Sequence, residues 1–239
     1  MFVIKKGNLI ISAVLLLTAF AFTLCFTSLL KKPPLETDAY AVKIVLDAGH
    51  GGIDGGVVGG MTRAKESELN LKVVKKLEKY FISAGFSVTL TRNSDAGLYG
   101  VATKNLKRTD MQKRKEIIEK VKPSVVISVH MNNYGLSSRR GAQVFYKKGD
   151  ENGKLLANCV QGSFNSMKEA VRTCSALTGD YYILNCTNYP SIIAECGFLS
   201  NPEDEKLLIT EDYQDKIAFS IYEGVVAYLT STSVYTFNM

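Results

Sequence analysis

The chain has 239 residues, 46% apolar and 22% charged, with 5 prolines, a composition that excludes a disordered or fibrous protein and leaves length for one or two domains. A net charge of +6 invites a nucleic-acid reading, but Lys5, Lys6, Lys31 and Lys32 supply four of those charges in a stretch without acids. Taking these four from the 29 basic residues leaves 25 against 23 acidic ones, which is no footprint for a nucleic acid or for a wall polymer.

From Leu9 to Leu30 the chain carries no charge, and lysine pairs bracket the run. As a helix these 22 residues would be about 33 Å long, enough to cross a bilayer. A cleaved signal peptide is the rival reading. It calls for a shorter apolar region and a small-x-small site, whereas this run ends Phe26-Thr27-Ser28-Leu29-Leu30. The expected organisation is a short N-terminus over residues 1–8, an uncleaved signal anchor over 9–30, a stalk containing Pro33-Pro34 over 31–40, and one folded domain over 41–239. Lysines at both ends leave the orientation to be decided by the function of the folded domain.

Strand-like apolar runs occur at Val42–Asp47, Phe86–Thr91, Val125–His130, Ala142–Tyr146, Tyr181–Leu184 and Ser191–Glu195. Helical spacing appears in Glu66–Ala84, where Leu69, Val73, Leu77, Tyr80, Phe81 and Ala84 share one face and Lys72, Lys75, Lys76 and Lys79 cover a solvated one. Arg108–Val121 and Asp212–Leu229 repeat the pattern. The alternation predicts a single α/β domain built on a twisted, mostly parallel or mixed six-stranded sheet flanked by helices.

In such sheets chemistry gathers beyond the carboxyl ends of strands, and three of these ends are unusual. Val42–Asp47 runs into Ala48-Gly49-His50-Gly51-Gly52, Val125–Val129 ends on His130, and Ile192–Ala194 ends on Glu195-Cys196-Gly197. His50 and His130 are the chain's two histidines, and both stand at strand ends, which points to a metal or catalytic site. The glycines around His50 let backbone approach a bound group; a phosphate loop is disfavoured because neither a Gly-Lys-Ser/Thr ending nor a regular GxGxxG is present. Glu66 opens the first amphipathic helix, where a carboxylate is more often a partner of the helix dipole than a ligand, and the pattern alone leaves both readings open.

Asp47-Ala48-Gly49-His50-Gly51-Gly52, Glu66-Ser67-Glu68-Leu69-Asn70-Leu71, Ser128-Val129-His130-Met131-Asn132 and Glu195-Cys196-Gly197-Phe198-Leu199-Ser200-Asn201 together resemble the four ordered motifs of the zinc-dependent N-acetylmuramoyl-L-alanine amidases, over about residues 42 to 229. The resemblance implies a twisted mixed sheet flanked by helices, zinc held by His50, Glu66 and His130, and Glu195 as the catalytic carboxylate. It implies as substrate the peptidoglycan amide between the lactyl group of muramic acid and the first alanine of the stem peptide. Two imidazoles and one carboxylate leave a fourth zinc position for water, the arrangement of a catalytic site.

Three positions depart from or complicate the pattern. Ala48 stands where the family usually has proline, which predicts a less rigid His50 loop; Cys196 replaces a usual valine, on the strand face opposite Glu195; and Glu68 competes with Glu66 as a ligand, the family register favouring Glu66. Arg92 and Arg114 are candidates to bind stem-peptide carboxylates, with packing as the alternative. Cys159, Cys174, Cys186 and Cys196 form no CxxC pair, so a second zinc site is not expected, and Cys159 with Cys174 is the disulfide to test.

Two other classes stay open: another zinc peptidoglycan hydrolase, such as a carboxypeptidase or deacetylase, and a wall-binding domain without activity. The segment Glu195–Asn201 disfavours the first, and the complete residue set disfavours the second. A bare amidase domain on an anchor is similar to the sporulation amidases that help to make muramic lactam in spore cortex with a deacetylase. That similarity implies an extracytoplasmic, membrane-anchored location, with an accessory or regulatory protein as a further expected partner.

Overall fold

A computed structural model describes residues 42–102 and 104–232. The expected N-terminus, anchor and stalk over 1–40, and the expected domain start at 41, lie outside these residues. Among the described residues no helix is long and apolar enough to cross a membrane.

Among the described residues six strands and six helices follow in the order β1 (Lys43–Ala48), α1 (Glu66–Ser83), β2 (Ser87–Leu90), α2 (Leu106–Val121), β3 (Val125–Asn132), β4 (Gln143–Tyr146), α3 (Glu151–Asn165), β5 (Leu177–Thr178), α4 (Tyr182–Asn185), β6 (Ser191–Phe198), α5 (Pro202–Leu208) and α6 (Glu211–Ser231). The strands form one mixed sheet in the order β2-β1-β3-β6-β4-β5. β2, β1, β3 and β6 run parallel, and β4 pairs antiparallel with β6. The central strands β1, β3 and β6 read as continuous apolar runs because helices cover both of their faces.

On one face α1, α3 and α6 pack over Leu46, Ile127, Val129, Ile192, Ala194 and Cys196 in the main core. The close approach of α3 and α6 depends on Gly224, where a Cβ would strike the backbone of Val160. On the other face Ile118 of α2 and Ile183 and Leu184 of α4 cover Val45, Val126 and Ile193. Strand alternation therefore places Cys196 in the main core, on the face opposite Glu195.

The sequence reading is corrected at one strand. Tyr181–Leu184 is not a strand: Tyr182–Asn185 form one helical turn that buries Ile183 and Leu184, and the sheet is completed instead by the short edge strand β5, Leu177–Thr178. A four-residue apolar run cannot distinguish the two by periodicity. Helix α3 was not expected, since Gly153 and Gly162 weaken its propensity. It forms because the Asp150 side chain caps it by accepting from Gly153 N at 2.9 Å and because Leu156, Ala157, Val160 and Phe164 bury one stripe.

Candidate active site

The site lies beyond the carboxyl ends of β1, β3 and β6. The penultimate residue of β1 is Asp47, a buried carboxylate that accepts from Thr91 Oγ1 at 2.6 Å, from Ser128 Oγ and from Arg114 Nη1. Burial alone would lift this carboxyl, but the Arg114 charge and the two hydroxyls outweigh it and hold the pKa at about 2. Immediately after the strand His50 takes a left-handed conformation at φ 61°, a costly one for a residue with a Cβ.

Two buried arginines secure this turn through its carbonyls. Arg114 donates to Ala48 O at 2.8 Å and His50 O at 2.7 Å, and pairs with Asp47 and Asp110. Arg92 donates to Ala48 O at 2.8 Å and Gly49 O at 2.9 Å. Of the two readings open for these arginines, the geometry takes packing over stem-peptide binding: both are buried and spend their donors on the protein itself. With alanine at 48, the carbonyls of Ala48, Gly49 and His50 are all bound by guanidinium groups.

Glu66, the first residue of α1, is 2% exposed, and its Oε1 lies 3.2 Å from His50 Nε2 and 2.9 Å from His130 Nδ1. Met131 N donates to the same oxygen at 3.2 Å, and Val57 N donates to Oε2 at 2.8 Å. Burial opposes its charge, yet hydrogen bonds and charge from the two imidazoles hold the carboxyl well below the usual range. His50 is raised to about 9: burial opposes its protonation, and the bonds to Glu66 and then to Asp54 outweigh that penalty. Asp54 Oδ2 lies 3.0 Å from His50 Nδ1 and so orients the ring from behind, leaving Nε2 to face Glu66. Glu68 points away, 47% exposed beside Lys65.

Glu195 stands in β6 directly across the ladder from His130 of β3. Its Oε2 is buried without a hydrogen-bond partner, and burial pushes the carboxyl up to about 7 against the lowering pull of His130. All four residues line one cleft of about 700 Å³ whose rim carries Ile53, Tyr99, Tyr181 and Tyr182. Lys107 is the exposed cation of that cleft, while Arg92 is not part of its wall.

One donor atom each from His50, Glu66 and His130 can be chosen so that all lie within 4.8 Å of one another, a group that can hold a metal ion. The fit is chemical as well as spatial, since a buried carboxylate and two imidazoles are the donors of open catalytic metal sites. The fold thus gathers the sequence-predicted residues His50, Glu66, His130 and Glu195, and leaves Glu68, Arg92 and Arg114 outside that group. Sequence reasoning missed Asp54, Asp47 and Asn70. Asp54 sits in the flagged glycine-rich loop, but only the loop's path shows that it reaches His50. The Cys159–Cys174 pair, named as the disulfide to test, is not bonded: among the described residues both cysteines are free, as are Cys186 and Cys196.

Comparison with known proteins agrees with this geometry. The family described as N-acetylmuramoyl-L-alanine amidase matches residues 44–227. A germination-specific N-acetylmuramoyl-L-alanine amidase of Bacillus subtilis is 35% identical over 191 residues, covering 78% of this chain and 79% of the relative. The CwlD amidase of Clostridioides difficile, solved in complex with the GerS lipoprotein, superposes with a TM-score of 0.77 at 37% identity over 80% of this chain and 99% of that one. A second amidase structure, from Clostridium difficile 630, gives 0.72 at 29% identity over 80% and 98%. The chain belongs to the N-acetylmuramoyl-L-alanine amidase family and has that enzyme activity.

Proposed function

We propose that the chain is a zinc-dependent amidase that cuts the bond between the muramic acid lactyl group and the stem-peptide L-alanine in spore cortex, where a deacetylase acts with it in making muramic lactam. One observation carries the chemistry: a buried carboxylate and two imidazoles converge in the same cleft as Glu195, whose Oε2 has no protein partner. His50, Glu66 and His130 would hold the ion. When bound, zinc supplies a Lewis acid that polarises a carbonyl and lowers the pKa of water toward ~7.

Glu195 takes a proton from the attacking water and returns it to the departing alanine nitrogen, which leaves as a neutral amine. Its place in the wall of the cleft and its pKa, raised by burial, suit a group that must both accept and give that proton. Asp54 and the arginine-held turn keep His50 aimed at Glu66 while this happens.

The cortex assignment draws on the likeness to the germination-specific relative, and an accessory lipoprotein is the partner suggested by the CwlD–GerS complex. Membrane anchoring by residues 9–30 would leave the domain on the extracytoplasmic side, where peptidoglycan lies. Digestion of purified cortex glycan strands, followed by mass analysis, tests the reading. Intact stem peptides with free L-alanine amino termini are expected; release of free D-alanine or of acetate instead would move the enzyme to the carboxypeptidase or deacetylase class. Protease added to intact protoplasts should remove the domain, and protection until lysis would reverse the topology.

A further inference from the structure

Gly49 joins all three segments that carry the candidate ligands. Its N–H donates to Val129 O of β3 at 3.1 Å, next to His130. Its Cα faces the His130 ring so closely that a Cβ would collide with it. Its carbonyl, one residue before His50, accepts from Asn70 Nδ2 at 3.1 Å and from Arg92 Nη2 at 2.9 Å.

Both donors then reach the Glu66 segment. The same Asn70 Nδ2 donates to Glu66 Oε1 at 3.3 Å, and the same Arg92 Nη2 donates to Ser67 O at 2.8 Å. Asn70 is fully buried, and its Oδ1 has no partner. An amide retained at the cost of an unsatisfied carbonyl is poorly explained by packing alone, since leucine would fill similar space without that cost. Its NH₂ group is what the site uses.

We propose that Asn70 and Arg92 are positioning residues which register the Glu66 carboxylate against the His50 turn, so that the donors stand ready before a metal arrives. The inference rests on the reading of His50, Glu66 and His130 as zinc ligands. It concerns the shell behind them, where loss of an orienting bond typically weakens metal binding by about 10- to 100-fold. Arg92 anchors the two backbones, and Asn70 additionally holds the carboxylate oxygen that faces both imidazoles.

The test uses the full chain stripped of metal and titrated with zinc against a fluorescent indicator, then with cobalt as a spectroscopic probe. Asn70→Leu should raise the zinc dissociation constant about 10- to 100-fold and change the cobalt d–d absorption. Gln214→Leu, at another buried amide with an unpaired Oε1 but outside the cleft, should shift the melting temperature while leaving both metal readouts as in wild type. Arg92→Lys keeps the charge, loses the fork, and should weaken zinc in the same direction; it decides the matter if Asn70→Leu does not fold. Wild-type affinity and spectrum in a folded Asn70→Leu or Arg92→Lys protein overturn the positioning role, as does equal weakening by Gln214→Leu. Failure of wild type itself to bind zinc strikes the ligand assignment instead, and with it this inference.

Discussion

Arg114 Nη2 donates to the main-chain carbonyl of His50 at 2.7 Å, and that carbonyl belongs to a residue held at φ 61°. Left-handed backbone at a non-glycine residue costs about 1 to 3 kcal/mol and persists only where the surroundings hold it. Here they do so from below, through an arginine that also closes a buried pair with Asp47 and a second pair with Asp110. The strain is thus placed at a candidate ligand and offset by a charge network whose Arg114–Asp47 pair is buried.

Arg114→Met tests this arrangement, since it keeps much of the bulk and removes every donor. Breaking one partner of a buried ion pair costs about 3 to 5 kcal/mol, so urea unfolding should show a loss of that size. Near-wild-type stability combined with weaker binding of stem peptides would return Arg114 to a substrate role.

The Asp47 carboxyl gives a pH dependence with a defined sign. Its folded pKa of about 2 lies below the ordinary value near 3.8, so the folded state binds this proton less readily than the unfolded chain does. The contribution is complete above pH ~4, is lost as pH falls through 2, and amounts to about 2 kcal/mol at 1.36 kcal/mol per unit. Wild type should therefore lose about 2 kcal/mol more than Asp47→Asn between pH 5 and pH 2. Parallel stability curves for the two proteins would show that Asp47 is not held in its charged form.

Glu66 and Glu68 separate ligand from surface charge within one helical turn. Glu66→Ala should release zinc along with activity, and His50→Ala and His130→Ala should do the same. Glu68→Ala should retain both, because that side chain is 47% exposed beside Lys65. Metal analysis giving the opposite order would shift the register of the motif.

Glu195→Gln separates proton transfer from metal binding. The amide keeps the shape but can neither accept the proton of the attacking water nor return it, and single acid–base groups contribute about 10² to 10⁴-fold. A folded, zinc-loaded variant at least about a hundredfold slower in releasing stem peptides is expected. Loss of zinc would place Glu195 in the coordination shell; retained zinc with near-normal turnover would remove it from the mechanism.

Much of the architecture was legible from residue order because apolar periodicity is local. β1, β3, β6, α1, α2 and α6 each announce themselves within a window of about a dozen residues or fewer; they carry the motif residues Glu66, His130 and Glu195, and β1 leads into His50. What stayed hidden depends on partners distant in the chain. The Tyr182–Asn185 turn became a helix because its two apolar residues meet α2 and the sheet, and no four-residue pattern records that. Arg92 and Arg114 look like surface cations in sequence. They became buried supports because α2 lies against β1, bringing Arg114 to Asp47 across 67 residues, and because Arg92 follows β2, which pairs with β1. Asn70 was simply one polar residue in a motif until folding set its amide between Gly49 O and Glu66 Oε1. The sequence by itself determined which side chains could perform the chemistry; only the tertiary structure decided which of them face the cleft and which hold it in shape, since hydrogen bonds and ion pairs are settled by distances that chain order does not contain.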